Sequence, residues 1–133
     1  MRIQGWDILL AGVIRSRRSS PFVWGQHDCC LFAADCALAI TGIDFAAGFR
    51  GKYRSAKGAS RLIDAHGGFT AMITELLGAE IPVNAAMRGD VLMLEQDGHP
   101  ALAVCYGADV VAVGVSGLVF RPLSDAVTAW RVA

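Results

Sequence analysis

The sequence predicts an α+β fold in one domain, with helices over roughly residues 1–80 packed on a C-terminal antiparallel sheet of about five strands over roughly 88–133. Three observations lead there. The first part of the chain repeats apolar residues at helical spacing between glycine breaks. After Pro82 the pattern changes to short β-rich runs separated by turn-forming residues. At 133 residues, the chain has room for one core and not two, and neither the helical nor the strand part is large enough to close a core alone.

Taken in order, WDILLAGVIRS carries apolar residues at positions 6, 9, 10, 13 and 14, the spacing of a helix with one buried face. Arg15, Arg17 and Arg18 fall at its negative end, and Ser-Ser-Pro stops it. FVWGQH is a short extended or turning stretch. Asp28 is placed to cap a second helix that runs through CCLFAADCALAI to Gly42. Because apolar residues almost encircle that helix, it is predicted to be the central buried one. IDFAAGFRGKYRSAKG, interrupted by glycines and rich in basic residues, reads as a long surface connection. A third helix is predicted over AKGASRLIDAH, ending at Gly67 and Gly68, and a fourth over TAMITELLG, with Thr70 as cap and Gly78 as terminator. DVLMLE, ALAVCY, DVVAV, GLVFRP and TAWRV then read as the strands of a meander.

Formal net charge is zero, which argues against a free nucleic-acid binder. The balance conceals an asymmetry: residues 1–61 hold nine Arg or Lys and four Asp, while residues 62–133 hold three basic and eight acidic side chains. No stretch has the length of a membrane span, and the first fifteen residues do not read as a secretory signal. The expected place of synthesis is therefore the cytoplasm.

The chemistry concentrates in WGQHDCCLFAADC, residues 24–36. With Asp28 as the cap, Cys29 occupies the first helical position, where free N–H groups and the helix dipole favour a thiolate. A bound carbonyl oxygen would meet the same donors. Cys30 points about 100° around the helix from Cys29, so the two thiols should diverge. Cys30 and Cys36 read as small buried hydrophobes. Cys29, Cys30, Cys36 and Cys105 are even in number, but a chain with an adequate core in a reducing compartment does not predict a disulfide framework. The spacing lacks paired zinc knuckles, so no metal is expected, and no cofactor. A thiol nucleophile needs a base, and His99, directly before ALAVCY, is the candidate that a sheet would carry toward the helix start; its other reading is a turn residue. His27 would have to fold back beside its neighbour, and His66 ends a surface helix.

These features resemble the NlpC-type cell-wall peptidases, a papain-like group whose nucleophile lies in an Asp-Cys-Ser-Gly-like motif at the start of a buried helix. In that group a Gly-Asp turn, a strand and a histidine opening the next strand follow. WGQHDCCLF resembles the nucleophile region, and RGDVLML with HPALAVCYG resembles the later one. A closer resemblance, across nearly the whole chain, is to a small phage and prophage family of uncharacterised function allied to that group, through WG-x-x-DC-C-x-F, FRGKYRSAKGA, RGDV and AWRV. Aligned on the strand and its terminal glycine, the group's histidine falls at Ala101, with His99 two residues upstream, a displacement of about 6.6 Å along a strand. DVVAV offers no His, Asn or Gln to orient a base.

The resemblance implies a papain-like NlpC-type fold over residues 1–133, with Cys29 and His99 as the catalytic positions. Trp24, Gly25, Asp28, Cys30 and Asp90 would serve as substrate contacts or structural support. Trp24 would line a cleft or fill the core, Gly25 would permit close approach or solve a turn, and Asp90 is read as fixing the turn before the first strand. Arg50, Lys52, Tyr53 and Arg54 form either a solvated edge or a surface for a partner. Two functions follow as expectations. One is a structural or assembly module of a phage or prophage tail with a degenerate site, made in the host cytoplasm and carried into the virion tail beside other tail proteins. The other is an active thiol amidase cleaving peptidoglycan peptides.

Overall fold

The computed structural model describes every residue from Met1 to Ala133. It contains helices α1 (Trp6–Arg17), α2 (Cys29–Thr41), α3 (Ala56–Ala65) and α4 (Phe69–Leu77), and strands β1 (Glu80–Ile81), β2 (Val91–Gln96), β3 (His99–Tyr106), β4 (Asp109–Val113), β5 (Leu118–Pro122) and β6 (Thr128–Trp130). The strands form one sheet in the order β1-β6-β2-β3-β4-β5, antiparallel throughout. The expected α+β arrangement of N-terminal helices on a C-terminal antiparallel sheet is therefore present. β2 to β5 are the expected meander, and β6 returns to the free side of β2. The extra strand, β1, is two residues long and too short to carry a periodic signal.

One face of the sheet packs against the helices. Val91, Leu102, Val104 and Trp130 share a core with Leu10 and Ile14 of α1 and with Phe32, Ala37 and Ile40 of α2. The opposite face, including Leu92, Leu94, Ala103 and Cys105, is covered by Ile81, Val83, Ala86, Leu123 and Ala126. Burial on both faces explains why the strands read as nearly continuous apolar runs instead of alternating ones. Trp130 is fully buried and donates its indole N–H to Thr74 Oγ1 at 3.1 Å.

Local expectations hold where a cap or break decides them. Asp28 caps α2 and Gly42 ends it with φ 79°. Ser55 caps α3, accepting from the Gly58 N–H at 3.1 Å. Two details differ. Leu9 is 45% exposed, while Leu10 and Ile14 carry the buried stripe of α1. Thr70 does not cap α4, because the helix begins one residue earlier, at Phe69, after Gly68 at φ 110°. The glycine supplies the turn geometry and no side-chain cap is formed.

Asp90 ties the two ends of the chain to the start of the sheet. It is completely buried. Its Oδ1 accepts from Arg2 Nη2 at 2.9 Å and from the Val132 N–H at 3.0 Å; its Oδ2 accepts from the Met87 N–H at 2.9 Å, and Arg131 stands at 3.4 Å. The preceding Gly89 is at φ 93°, and a Cβ there would meet Ile40 Cδ1 at 2.7 Å. The Gly-Asp turn is thus a structural joint. Asp90→Ala should lower stability by about 3–5 kcal/mol, since it strands buried donors and a buried arginine. Asp90→Asn should fall between it and the parent in urea denaturation; equal midpoints for all three proteins would refute this role.

Candidate functional site

The head of α2 is built around the Asp28 carboxylate, which is 1% exposed. Oδ1 accepts from the Leu31 N–H at 3.0 Å; Oδ2 accepts from the Gly25 N–H at 3.0 Å and from the Tyr53 hydroxyl at 2.5 Å. The loop before the helix is closed by the Val23–His27 bridge. Gly25 has φ 77°, and a Cβ there would collide with the Tyr53 carbonyl oxygen, so both the turn and the close approach require glycine. Burial, then donation to Asp28, holds the Tyr53 hydroxyl well above the ordinary phenol range.

These contacts refine the reading of residues 43–58 as a surface connection: most of the segment is exposed, but part of it turns inward. Ala46 is buried with Leu31 and Ala34, and Phe49 packs on them. Arg50 pairs with Asp35 at 2.8 Å and Asp44 at 2.9 Å, while Tyr53 serves Asp28. Only Lys52 and Arg54 of the four proposed surface residues are exposed. The apolar residues in FAAGF were the available signal that this segment turns inward.

Cys29 is the first residue of α2 and is half-buried, as is Cys30. Their sulfurs lie 3.9 Å apart, so the expected divergence does not occur; in the first turn no preceding turn restricts χ1. Cys30 lines the same cleft as Cys29 and is not simply a buried hydrophobe. The Cys30 S–H, followed by the Leu102 and Cys30 N–H groups, draws the Cys29 thiol below its ordinary range, against burial and the Asp28 charge. Cys30, which supplies that S–H, is pushed well above its range. Burial also raises Cys36 and Cys105. Leu102 can act on Cys29 because odd-numbered residues of β3 bond to β2, as the Cys105 N–H does to the Asp90 carbonyl. Even-numbered ones face the other side, where β4 pairs only as far as Val104. Pro100 occupies such a position, so its missing N–H interrupts no bond to β2.

The histidines do not complete this thiol. His99 is exposed and pairs with Gln96 at the tip of the β2–β3 hairpin. Side chains alternate along a strand, so His99 shares a face with Ala101, Ala103 and Cys105, while Leu102 and Val104 face α2. Although His99 borders the cleft, it makes no hydrogen bond to Cys29, whose one side-chain partner is Cys30. His66 pairs with Glu75 at 3.4 Å. His27 is 8% exposed, edge-on to Phe32, with neither ring nitrogen bonded. No cysteine is paired with a histidine, which overturns the cysteine-peptidase and thiol-protease reading. No three His, Cys, Asp or Glu side chains are grouped to hold a metal ion.

What Cys29 and Cys30 do border is a cleft of about 820 Å³ in which 25 of 34 lining residues are hydrophobic. It runs between α2, the 43–58 segment, α3, α4 and β3. Trp24 lines it, 38% exposed and edge-on to Phe22 with ring centres 4.7 Å apart, and does not fill the core. As a sealed void, such a volume would cost on the order of 20 kcal/mol at roughly 24 cal/mol per Å³, more than the ~5–15 kcal/mol stability of a domain. It is therefore an open cleft and not a packing defect. No periodic pattern marks it in the chain, since its walls come from segments far apart in the sequence.

A family profile described as a domain of unknown function, DUF6950, matches residues 1–132, and the chain belongs to that family. No curated protein and no solved structure matches it significantly.

Two outcomes follow from this site. Iodoacetamide at neutral pH should label Cys29 several-fold faster than Cys30, Cys36 or Cys105, as read by peptide mapping; preferential labelling of another cysteine would contradict the assignment. Burial, with help from Arg17 and against Asp35 and Asp28, lowers the His27 pKa from 6.5. The unfolded chain therefore binds the extra proton first, and stability should fall as pH drops below about 6.5 toward the folded value. His27→Leu should flatten that slope in denaturation curves taken between pH 7.5 and 5, and an unchanged slope would exclude His27 as its source.

Proposed function

We propose that this chain is a papain-like, NlpC-type module that binds without cutting and serves as a structural or assembly component of a phage or prophage tail. The observation carrying this reading is that the Cys29 thiol has Cys30 as its one side-chain partner and no histidine beside it; in the sequence resemblance, the position of the peptidases' base falls at Ala101. The helix-start thiol, the Gly-Asp joint and the antiparallel sheet support the papain-like plan. The WG-x-x-DC-C-x-F, FRGKYRSAKGA and AWRV segments support the tail association, because they carry the resemblance to the phage and prophage proteins.

In this reading the helix start keeps a recognition role. A group entering the cleft meets Trp24 at the rim and a thiol whose proton affinity is set by neighbouring donors. Without a base to take up and return a proton, acyl transfer to Cys29 lacks general acid–base assistance, typically 10²–10⁴-fold. Lys52 and Arg54 remain exposed to meet an acidic surface on another tail protein.

The test has two parts. Purified protein incubated with peptidoglycan peptides should release no product above the Cys29→Ala control, and tail particles should contain the chain in fixed ratio to the other tail proteins. Turnover that disappears in Cys29→Ala, or assembled tails that lack the chain, would overturn the reading.

A further inference from the structure

We infer that the cleft is a binding site for one long unbranched aliphatic chain of the fatty-acid type, an inference that rests on the cleft being used for binding and not for hydrolysis. Its floor is a strip of small side chains on α2. Cys29, Cys30, Ala33, Ala34 and Ala37 all line it, and eight residue steps of helix make the strip about 12 Å long at 1.5 Å per residue. Phe45, Phe49, Phe69 and Met72 stand around it. Small residues along one helix with bulky residues opposite form a narrow apolar trough.

The polar groups decide between possible occupants. A peptide would bring an N–H and a C=O with every residue, and each would need a partner once desolvated. The trough offers almost none: the Asp28 carboxylate is already filled by three donors, and the Leu102 N–H acts on the Cys29 sulfur. A hydrocarbon makes no such demand. The other polar side chains bordering the cleft are Lys57, Ser60, Asp64, Asp97 and His99, all exposed, and Gln96, half-buried. Lys57, the one lysine or arginine among the lining residues, supplies a cation for a carboxylate head that must sit nearer to it than to Asp64 and Asp97, while the tail lies along the alanines. The 820 Å³ volume falls within the usual range for small-ligand sites, roughly 300–1,000 Å³.

The full chain should be titrated with cis-parinaric acid, an 18-carbon fluorescent fatty acid. The expected result is saturable one-to-one binding, displaced by hexadecanoate and unaffected by butyrate or by a short apolar peptide. Ala34→Leu, which fills the strip, should weaken binding at least tenfold. Should that variant fail to fold, a second measurement on the parent chain is sufficient: saturating hexadecanoate should slow alkylation of Cys29 by N-ethylmaleimide at least fivefold. Lack of saturable binding, displacement by the peptide, full affinity in a folded Ala34→Leu protein, or unchanged Cys29 alkylation would overturn the inference. Peptidoglycan peptides are assayed in parallel. Cys29-dependent turnover would defeat the non-cutting reading itself, whereas absent turnover with absent probe binding would defeat only the aliphatic ligand.

Discussion

The site depends on one buried carboxylate. Asp28 has no cationic partner, and its charge is held by two backbone N–H groups and a phenol. Hydrogen bonds to a charged group contribute roughly 1.5–3 kcal/mol each. Three of them are comparable with much of the net stability of a small domain. They fix the first turn of α2, the loop carrying Trp24, and the segment carrying Tyr53. Those are the parts that place Cys29 at a helix start and form one side of the cleft. Asp28 also opposes the thiolate through its charge, so the group that positions the sulfur limits its ionisation.

That division separates a thiol setting from a catalytic one. A lowered thiol pKa needs only donors, and the Cys30 S–H with the Leu102 and Cys30 N–H groups supplies them. Covalent catalysis also needs a group that moves a proton between nucleophile and leaving group. The hairpin places His99 at an exposed tip and Ala101 at the buried position. Since strand side chains alternate, residues 99 and 101 share the face opposite the one that Leu102 and Val104 turn to α2, so no rotamer change at His99 sets an imidazole against Cys29.

Much of the fold was legible because local chemistry decides it. Asp28, Gly42 and Gly78 mark helix ends, and the runs after Pro82 are too β-branched and too well separated by turns to be helices. The return of β6 beside β2 was not legible, since it depends on Asp90 gathering Arg2, Val132 and Met87 from three places in the chain. Thr70 misled because a threonine near a helix start has the right chemistry, while the adjacent glycine already provides the turn. Within the site, Asp28 and Cys29 could be placed from sequence alone. The roles of Tyr53 and Arg50 could not, because an aromatic among basic residues looks the same in sequence whether it faces solvent or a buried carboxylate. Nor could the cleft, whose walls meet only after α3 and α4 dock.

Fixed donors, and not an imidazole, lower the proton affinity of the Cys29 sulfur. The most direct measurement is the pH dependence of Cys29 alkylation in the parent protein and in His99→Ala. Superimposable profiles, with one rise set by the thiol itself, are the predicted result. A profile in the parent with a second inflection near the histidine range that vanishes in His99→Ala would contradict it.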